Sequence, residues 1–301
     1  MRVRATARAR ARARAAAAAG TRAAAQARAM AKDEVAAVPA RRATLAALCG
    51  ALLMVCAMVP SARADGHAPT PPEILGVSVN GGRPLVLGPG QSVTFQATVT
   101  ARADVGIHRH GVEINLFGPG GQTLDGLSEP APGCSPTGAT TAVCTEWFRI
   151  DTGSAQVTND WAGSWRVWAL VASNTIDEDP DSSITTRSFP DALKVQRRSK
   201  LTFVASPNPV AAGRDVGMLG RLTVADWETD AYTGRSGQSV ALEFCASPCR
   251  AVESVRSLTT GASGITGTSE PVTRDGSWWL RYRGTDLFSA TFSPGVVVDV
   301  L

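Results

Sequence analysis

The chain has 301 residues, of which 44% are hydrophobic and 19% charged, which supports one or two cored domains and excludes a disordered chain. Its net charge of +4 is unevenly spread. Residues 1–64 hold 12 basic and 2 acidic side chains, whereas residues 65–301 hold 18 basic and 24 acidic side chains. If the first part is removed, an acidic protein remains, which argues against nucleic-acid binding.

The first 29 residues form a low-complexity segment rich in alanine and arginine. We predict a disordered extension or a wrongly assigned start, with Met30 as the alternative start. Residues 30–64 are predicted to be a signal peptide.

Three features in order carry the signal-peptide prediction. Arg41 and Arg42 precede an uncharged apolar run over 43–59, and the small residues Ala62 and Ala64 follow. We expect cleavage after Ala64. An uncleaved membrane anchor is the alternative, since the run is close to the ~18-residue lower limit for a spanning helix. The cleavage site favours a secreted, extracellular protein.

Four cysteines remain after the predicted cleavage, an even number that indicates disulfides in an exported chain. Sequence proximity favours Cys134–Cys144 and Cys245–Cys249 among the three possible connectivities. A zinc site or a redox pair is the alternative. The last two cysteines have C-x3-C spacing, and no histidine in the second half could complete a zinc set.

The first half of the mature chain follows a polar, proline-rich leader over 65–72, which we predict to be flexible. Residues 92–100 alternate apolar and polar side chains, the pattern of a half-buried strand. Residues 124–142 read as a long loop. Strands are predicted over 74–79, 85–87, 92–100, 111–117, 146–150, 165–171 and 191–196.

The second half begins after a predicted charged hinge over 197–200. Strands are predicted over 201–205, 216–224, 239–245, 250–258, 277–282, 288–292 and 296–300. No helical apolar pattern occurs after residue 64. The predicted fold class is all-β, with two tandem immunoglobulin-like β-sandwich domains over 73–197 and 198–301.

Several segments of the second half resemble bacterial immunoglobulin-like repeats of secreted actinobacterial proteins. They are residues 201–210, 220–227, 275–279 and 298–300, and residues 160–168 in the first half are more weakly similar. The resemblance implies an immunoglobulin-like fold. Some relatives are described as calcium-binding, and the resemblance carries over no catalytic residue.

The densest acidic cluster consists of Asp177, Glu178, Asp179 and Asp181. It could supply oxygen ligands to calcium, which takes about 6–8 of them. The spacing is not that of an EF-hand, and a solvated loop between strands is the alternative. We predict no cofactor, with calcium at this cluster as the alternative.

Aromatic side chains are the other candidate binding residues. Trp278 and Trp279 are adjacent, so on a strand they point to opposite faces. Trp227 and Tyr232 lie in a predicted loop with acidic neighbours. Exposed aromatic rings bind sugars or protein partners, so we predict these four as ligand-binding residues. The alternative is that each tryptophan packs against its own domain.

No enzymatic motif is present: the sequence lacks G-x-S-x-G, H-E-x-x-H and a P-loop. We therefore predict a secreted, non-catalytic binding or adhesion module whose partner is an extracellular polysaccharide, cell wall or protein. We expect no nucleic-acid partner and, after signal cleavage, no membrane partner. A calcium-binding structural protein is the alternative function, and a hydrolase or hydrolase inhibitor is a third class.

Overall fold

The computed structural model describes residues 70–301. The predicted extension over 1–29, the predicted signal peptide over 30–64 and most of the predicted leader lie outside the described residues. Across residues 70–301, no helix has both the length and the apolar character needed to cross a membrane.

The first sandwich contains nine strands in two sheets. One sheet has the order β1-β3-β7-β6 and the other has the order β2-β9-β8-β4-β5. Their neighbours pair antiparallel except β2 and β9, which are parallel. The strands are β1 Glu73–Val79, β2 Leu85–Leu87, β3 Ser92–Arg102, β4 Ile107–Phe117, β5 Thr123–Leu124, β6 Gly133–Pro136, β7 Thr141–Asp151, β8 Gly163–Ser173 and β9 Ile184–Arg197.

Alternating side chains fill the space between these sheets. Phe95, Ala97 and Val99 on β3 are buried, as the period-2 pattern predicts. Phe148 on β7 packs against Phe95 with ring centroids 5.8 Å apart, and Trp165 on β8 is fully buried. The core of the first sandwich therefore comes from the inward face of both sheets.

The second sandwich also contains nine strands. In one sheet β11 pairs with β10 on one side and with β12 and β15 on the other. The second sheet has the order β14-β13-β16, with β17 and β18 beyond β16. The strands are β10 Ser199–Ser206, β11 Arg214–Asp226, β12 Ala231–Gly234, β13 Ser239–Ala246, β14 Glu253–Thr259, β15 Ile265–Val272, β16 Gly276–Tyr282, β17 Thr291–Phe292 and β18 Val296–Val298.

The second sandwich has its own core. Leu222 of β11 is buried with Leu242 of β13 and Leu280 of β16. Trp278 packs against Phe244 with the two rings tilted and their centroids 4.5 Å apart. The predicted fold class is confirmed: the protein is all-β, with two immunoglobulin-like sandwiches in tandem.

Both predicted disulfides are present. Cys134–Cys144 joins β6 to β7 at two directly paired residues, so the predicted loop over 124–142 contains a strand. Cys245–Cys249 closes the connection that follows β13.

Candidate functional site

Trp227 joins the two sandwiches. It follows β11 of the second sandwich, yet its side chain is 4% exposed and packs within the core of the first. Its indole N–H donates to the Leu87 carbonyl oxygen at 3.3 Å. The predicted binding residue Trp227 therefore contacts the protein's own first sandwich and presents no open ring to solvent.

Asn159 provides the main polar contact at this junction. Its side-chain amide donates to the Asp226 carboxylate at 2.9 Å, and its carbonyl oxygen accepts from the Trp227 backbone N–H at 3.0 Å. The hydrogen bond from Asn159 lowers the pKa of Asp226, with help from the backbone N–H groups of Glu228 and Thr229. Asp226 is thereby held as an anion.

The Gly88-Pro89-Gly90 turn fits against the hairpin between β11 and β12. A Cβ at Gly88 would lie 3.1 Å from the Tyr232 hydroxyl, and one at Gly90 would lie 3.0 Å from the Asp230 carboxylate. Gly90 also has φ of 56°, which favours glycine. Tyr232 is half-buried there, with the Lys200 ammonium 3.7 Å from its ring centroid. Residues 88 and 90 of the turn therefore need to be small for the turn to pack against the hairpin.

The segment predicted as a charged hinge is strand on both sides of Arg198. Arg198 donates its backbone N–H to Leu87 and accepts from the Ala225 N–H, both at 2.8 Å. The Arg197 guanidinium donates to the Ala225 carbonyl, and burial lowers its pKa. These bonds tie the connecting segment to both sandwiches, so its charges hold the junction in place.

Trp279 lies on the outer face of the second sandwich. It follows the core residue Trp278, which is 5% exposed, and it points the opposite way. Its indole N–H donates to one Glu243 carboxylate oxygen at 2.8 Å. The other oxygen pairs with Arg281 at 2.5 Å, and the Glu243 side chain is 4% exposed. Glu243 therefore fixes both the indole and the guanidinium at this surface.

Two exposed apolar side chains lie near Trp279 and Arg281 on the strands beside β16. Phe292 of β17 is directly opposite Arg281 and is 60% exposed. Val297 of β18 is opposite Ser277 and is 56% exposed. Directly opposite residues in a sheet lie on one face, as do residues two apart on one strand. We call this surface the Trp279 face and define it by Trp279, Arg281, Phe292 and Val297, together with the exposed Arg283 just beyond the end of β16.

An open polar groove of about 350 Å³ adjoins the Trp279 face. Ser239 and Ser257 hydroxyls lie 2.9 Å apart on β13 and β14. Gln238 accepts from the Tyr282 hydroxyl at 2.8 Å. The lining side chains are mainly hydroxyls, one amide and two guanidinium groups: Gln238, Ser239, Ser254, Ser257, Arg281 and Arg283, with Thr285.

The predicted calcium ligands Asp177, Glu178, Asp179 and Asp181 lie in the turn between β8 and β9. The Asp179 carboxylate accepts from the Ser182 hydroxyl. Within the described part of the chain, no three histidine, cysteine or acidic side chains form a group able to hold a metal. Calcium binding by these residues stays a prediction.

Sequence reasoning identified Trp279 but missed its neighbours. Arg281 follows Trp279 two positions later on β16, and this spacing signals one shared strand face, whereas Arg283 lies just beyond the end of the strand. Phe292 and Val297 lie on strands of two and three residues, which are too short for a periodic signal. The ligand-binding role of the four predicted aromatic residues stays a prediction.

No family profile and no curated protein matches the chain. Similar solved structures include the Escherichia coli adhesin FdeC, 16% identical over 75% of this chain and 63% of that one, with a TM-score of 0.29. The mouse nectin-like molecule 4 ectodomain is 14% identical, covering 77% and 64%, with a TM-score of 0.25. Dimeric latent PorU from Porphyromonas gingivalis is 18% identical, covering 78% and 20%, also with a TM-score of 0.25. The chain thus spans less than two thirds of these proteins, and none of these similarities supports a functional argument.

Proposed function

We propose that the protein is an exported, non-catalytic binding or adhesion module that contacts its partner through the Trp279 face. The observation that carries this proposal is the exposure of Phe292 and Val297 beside Trp279 on one sheet face. Aromatic and arginine side chains are enriched in binding surfaces, where they contribute much of the binding energy.

The junction supports the same proposal. Trp227, Asn159 and Arg198 tie the two sandwiches through buried packing and hydrogen bonds. A preorganised body loses less entropy on binding than a flexible pair of domains does. The two disulfides fit an oxidising, extracellular compartment.

A sedimentation assay tests the binding function. The purified protein is mixed with intact bacterial cells, isolated cell walls and insoluble polysaccharide, and the bound fraction is measured. We expect the protein to sediment with at least one material and expect Trp279→Ala to release it. Trp168→Ala is the matched control, because Trp168 is a half-buried tryptophan on the outer face of the first sandwich. If the protein sediments with none of these materials, the proposal is wrong.

A further inference from the structure

We propose that the Trp279 face binds a negatively charged polysaccharide. The aromatic rings stack on sugar rings, and Arg283 pairs with acidic groups along the polymer. The inference rests on the proposed binding function and names the ligand class for that surface.

The aromatic part of the face is preorganised. The bond from Trp279 to Glu243 fixes the indole ring on the sheet, where the residue is half-buried. Phe292 adds a second, 60% exposed ring beside Arg281. Apolar ring faces stack on the C–H faces of sugars without losing a polar contact. Two neighbouring rings on one sheet can therefore follow consecutive sugar units.

The charge of the face favours an anion. Glu243 is the acidic side chain beneath it, and both of its oxygens are already engaged by Trp279 and Arg281. Arg283 is exposed and forms no salt bridge within residues 70–301. A free guanidinium offers paired donors that match a carboxylate or sulfate. The unpaired positive charge of the face is thus that of Arg283, which also lines the adjoining groove.

The groove beside the rings fits a sugar chain better than a protein surface. Ser239, Ser254, Ser257 and Gln238 present hydroxyl and amide groups, which donate and accept hydrogen bonds as sugar hydroxyls require. A stable protein interface needs about 800 Å² on each partner with an apolar centre. Here Arg281 and Arg283 connect the Trp279 face to a hydroxyl-lined groove of about 350 Å³.

Biolayer interferometry with the full chain tests the ligand class. Four immobilised polymers are compared: alginate, which carries carboxylates; heparin, which carries sulfates; neutral dextran; and polyacrylate, which carries carboxylates but no sugar rings. We expect alginate or heparin to bind at least tenfold more tightly than dextran and polyacrylate. The stronger of the two identifies the acidic group.

Substitutions at exposed positions locate the site without threatening the fold. We expect Arg283→Gln and Phe292→Ser each to weaken binding at least fivefold. Arg214→Gln and Leu219→Ser are the matched controls, since both residues are exposed on β11 in the opposite sheet, and they should leave affinity unchanged.

Two results would overturn the inference: equal binding to polyacrylate and the acidic polysaccharides, or full affinity in both Arg283→Gln and Phe292→Ser. Sedimentation of the protein with cells or walls, but without preference for an acidic polysaccharide, would refute this ligand class and leave the binding function intact. Absence of sedimentation would refute both.

Discussion

Truncating Trp227 should uncouple the two sandwiches. The side chain belongs to the second sandwich but is 4% exposed within the core of the first. Replacing a buried tryptophan by alanine costs about 3–5 kcal/mol. Loss of the indole bond to the Leu87 carbonyl adds about 1 kcal/mol. A domain is stable by only about 5–15 kcal/mol, so the loss at Trp227→Ala is a large share of the free energy of unfolding of the first sandwich.

Differential scanning calorimetry measures this effect. We expect one cooperative transition for the parent protein and two separate transitions for Trp227→Ala. For a chain of this size each kcal/mol moves the melting temperature by roughly 2–4 °C, so a loss of about 4–6 kcal/mol should lower the first transition by roughly 8–24 °C. Trp168→Ala is the control, because Trp168 is half-buried and lies away from the junction contacts described above. It should keep a single transition.

One outcome would refute the argument for a coupled junction. If Trp227→Ala melts in a single transition within about 2 °C of the parent, the indole adds little beyond what ordinary surface substitutions change. The packing of Trp227 into the first sandwich would then contribute no coupling, and the junction would depend on other contacts.

Three further results are expected. Burial is the main cause of the raised pKa of Glu146 on β7. The stabilising contribution of this carboxyl group is therefore fully present below about pH 4.5 and is lost as the pH rises through the raised pKa. In thermal melts Glu146→Gln should be more stable than the parent protein at about pH 7 and should lose that advantage near pH 4. Asn159→Asp removes a donor and adds a second anion at the junction, so it should lower stability at pH 7 by about 1–3 kcal/mol in urea unfolding and recover in acid. If calcium binds the predicted cluster, the melting temperature in millimolar calcium should be several degrees higher than in a chelator. The combined Asp177→Asn, Asp179→Asn and Asp181→Asn variant should abolish that shift. If the parent protein shows no shift, the calcium prediction is wrong.

Strands with alternating apolar side chains could be predicted from the sequence, as β3 and β13 show. β15 could not be predicted, because its inward positions include Thr266 and Glu270 and give no apolar period. Glu270 is buried there because it pairs with Arg256 of β14. The partners of this strand, Arg256 at Glu270 and β11 along its length, lie outside its own sequence.

The opposite orientation of Trp278 and Trp279 followed from strand geometry alone. The burial of Trp227 did not, because it depends on a contact with Leu87 at the end of β2, 140 residues earlier in the chain. The exposed ring of Phe292 was equally hidden, since its two-residue strand carries no periodic signal. Long-range contacts and very short strands account for what sequence patterns missed at the site.

Hydroxyl-radical footprinting tests the binding surface most directly. The full protein is labelled alone and with saturating alginate or heparin, and oxidation is read by mass spectrometry at single residues. We expect the polymer to protect Trp279 and Phe292 from oxidation. The exposed Val204 and Leu219 of the opposite sheet should be oxidised equally with and without polymer. Protection confined to Val204 and Leu219, or none at Trp279 and Phe292 while the polymer is bound, would contradict the proposed binding surface.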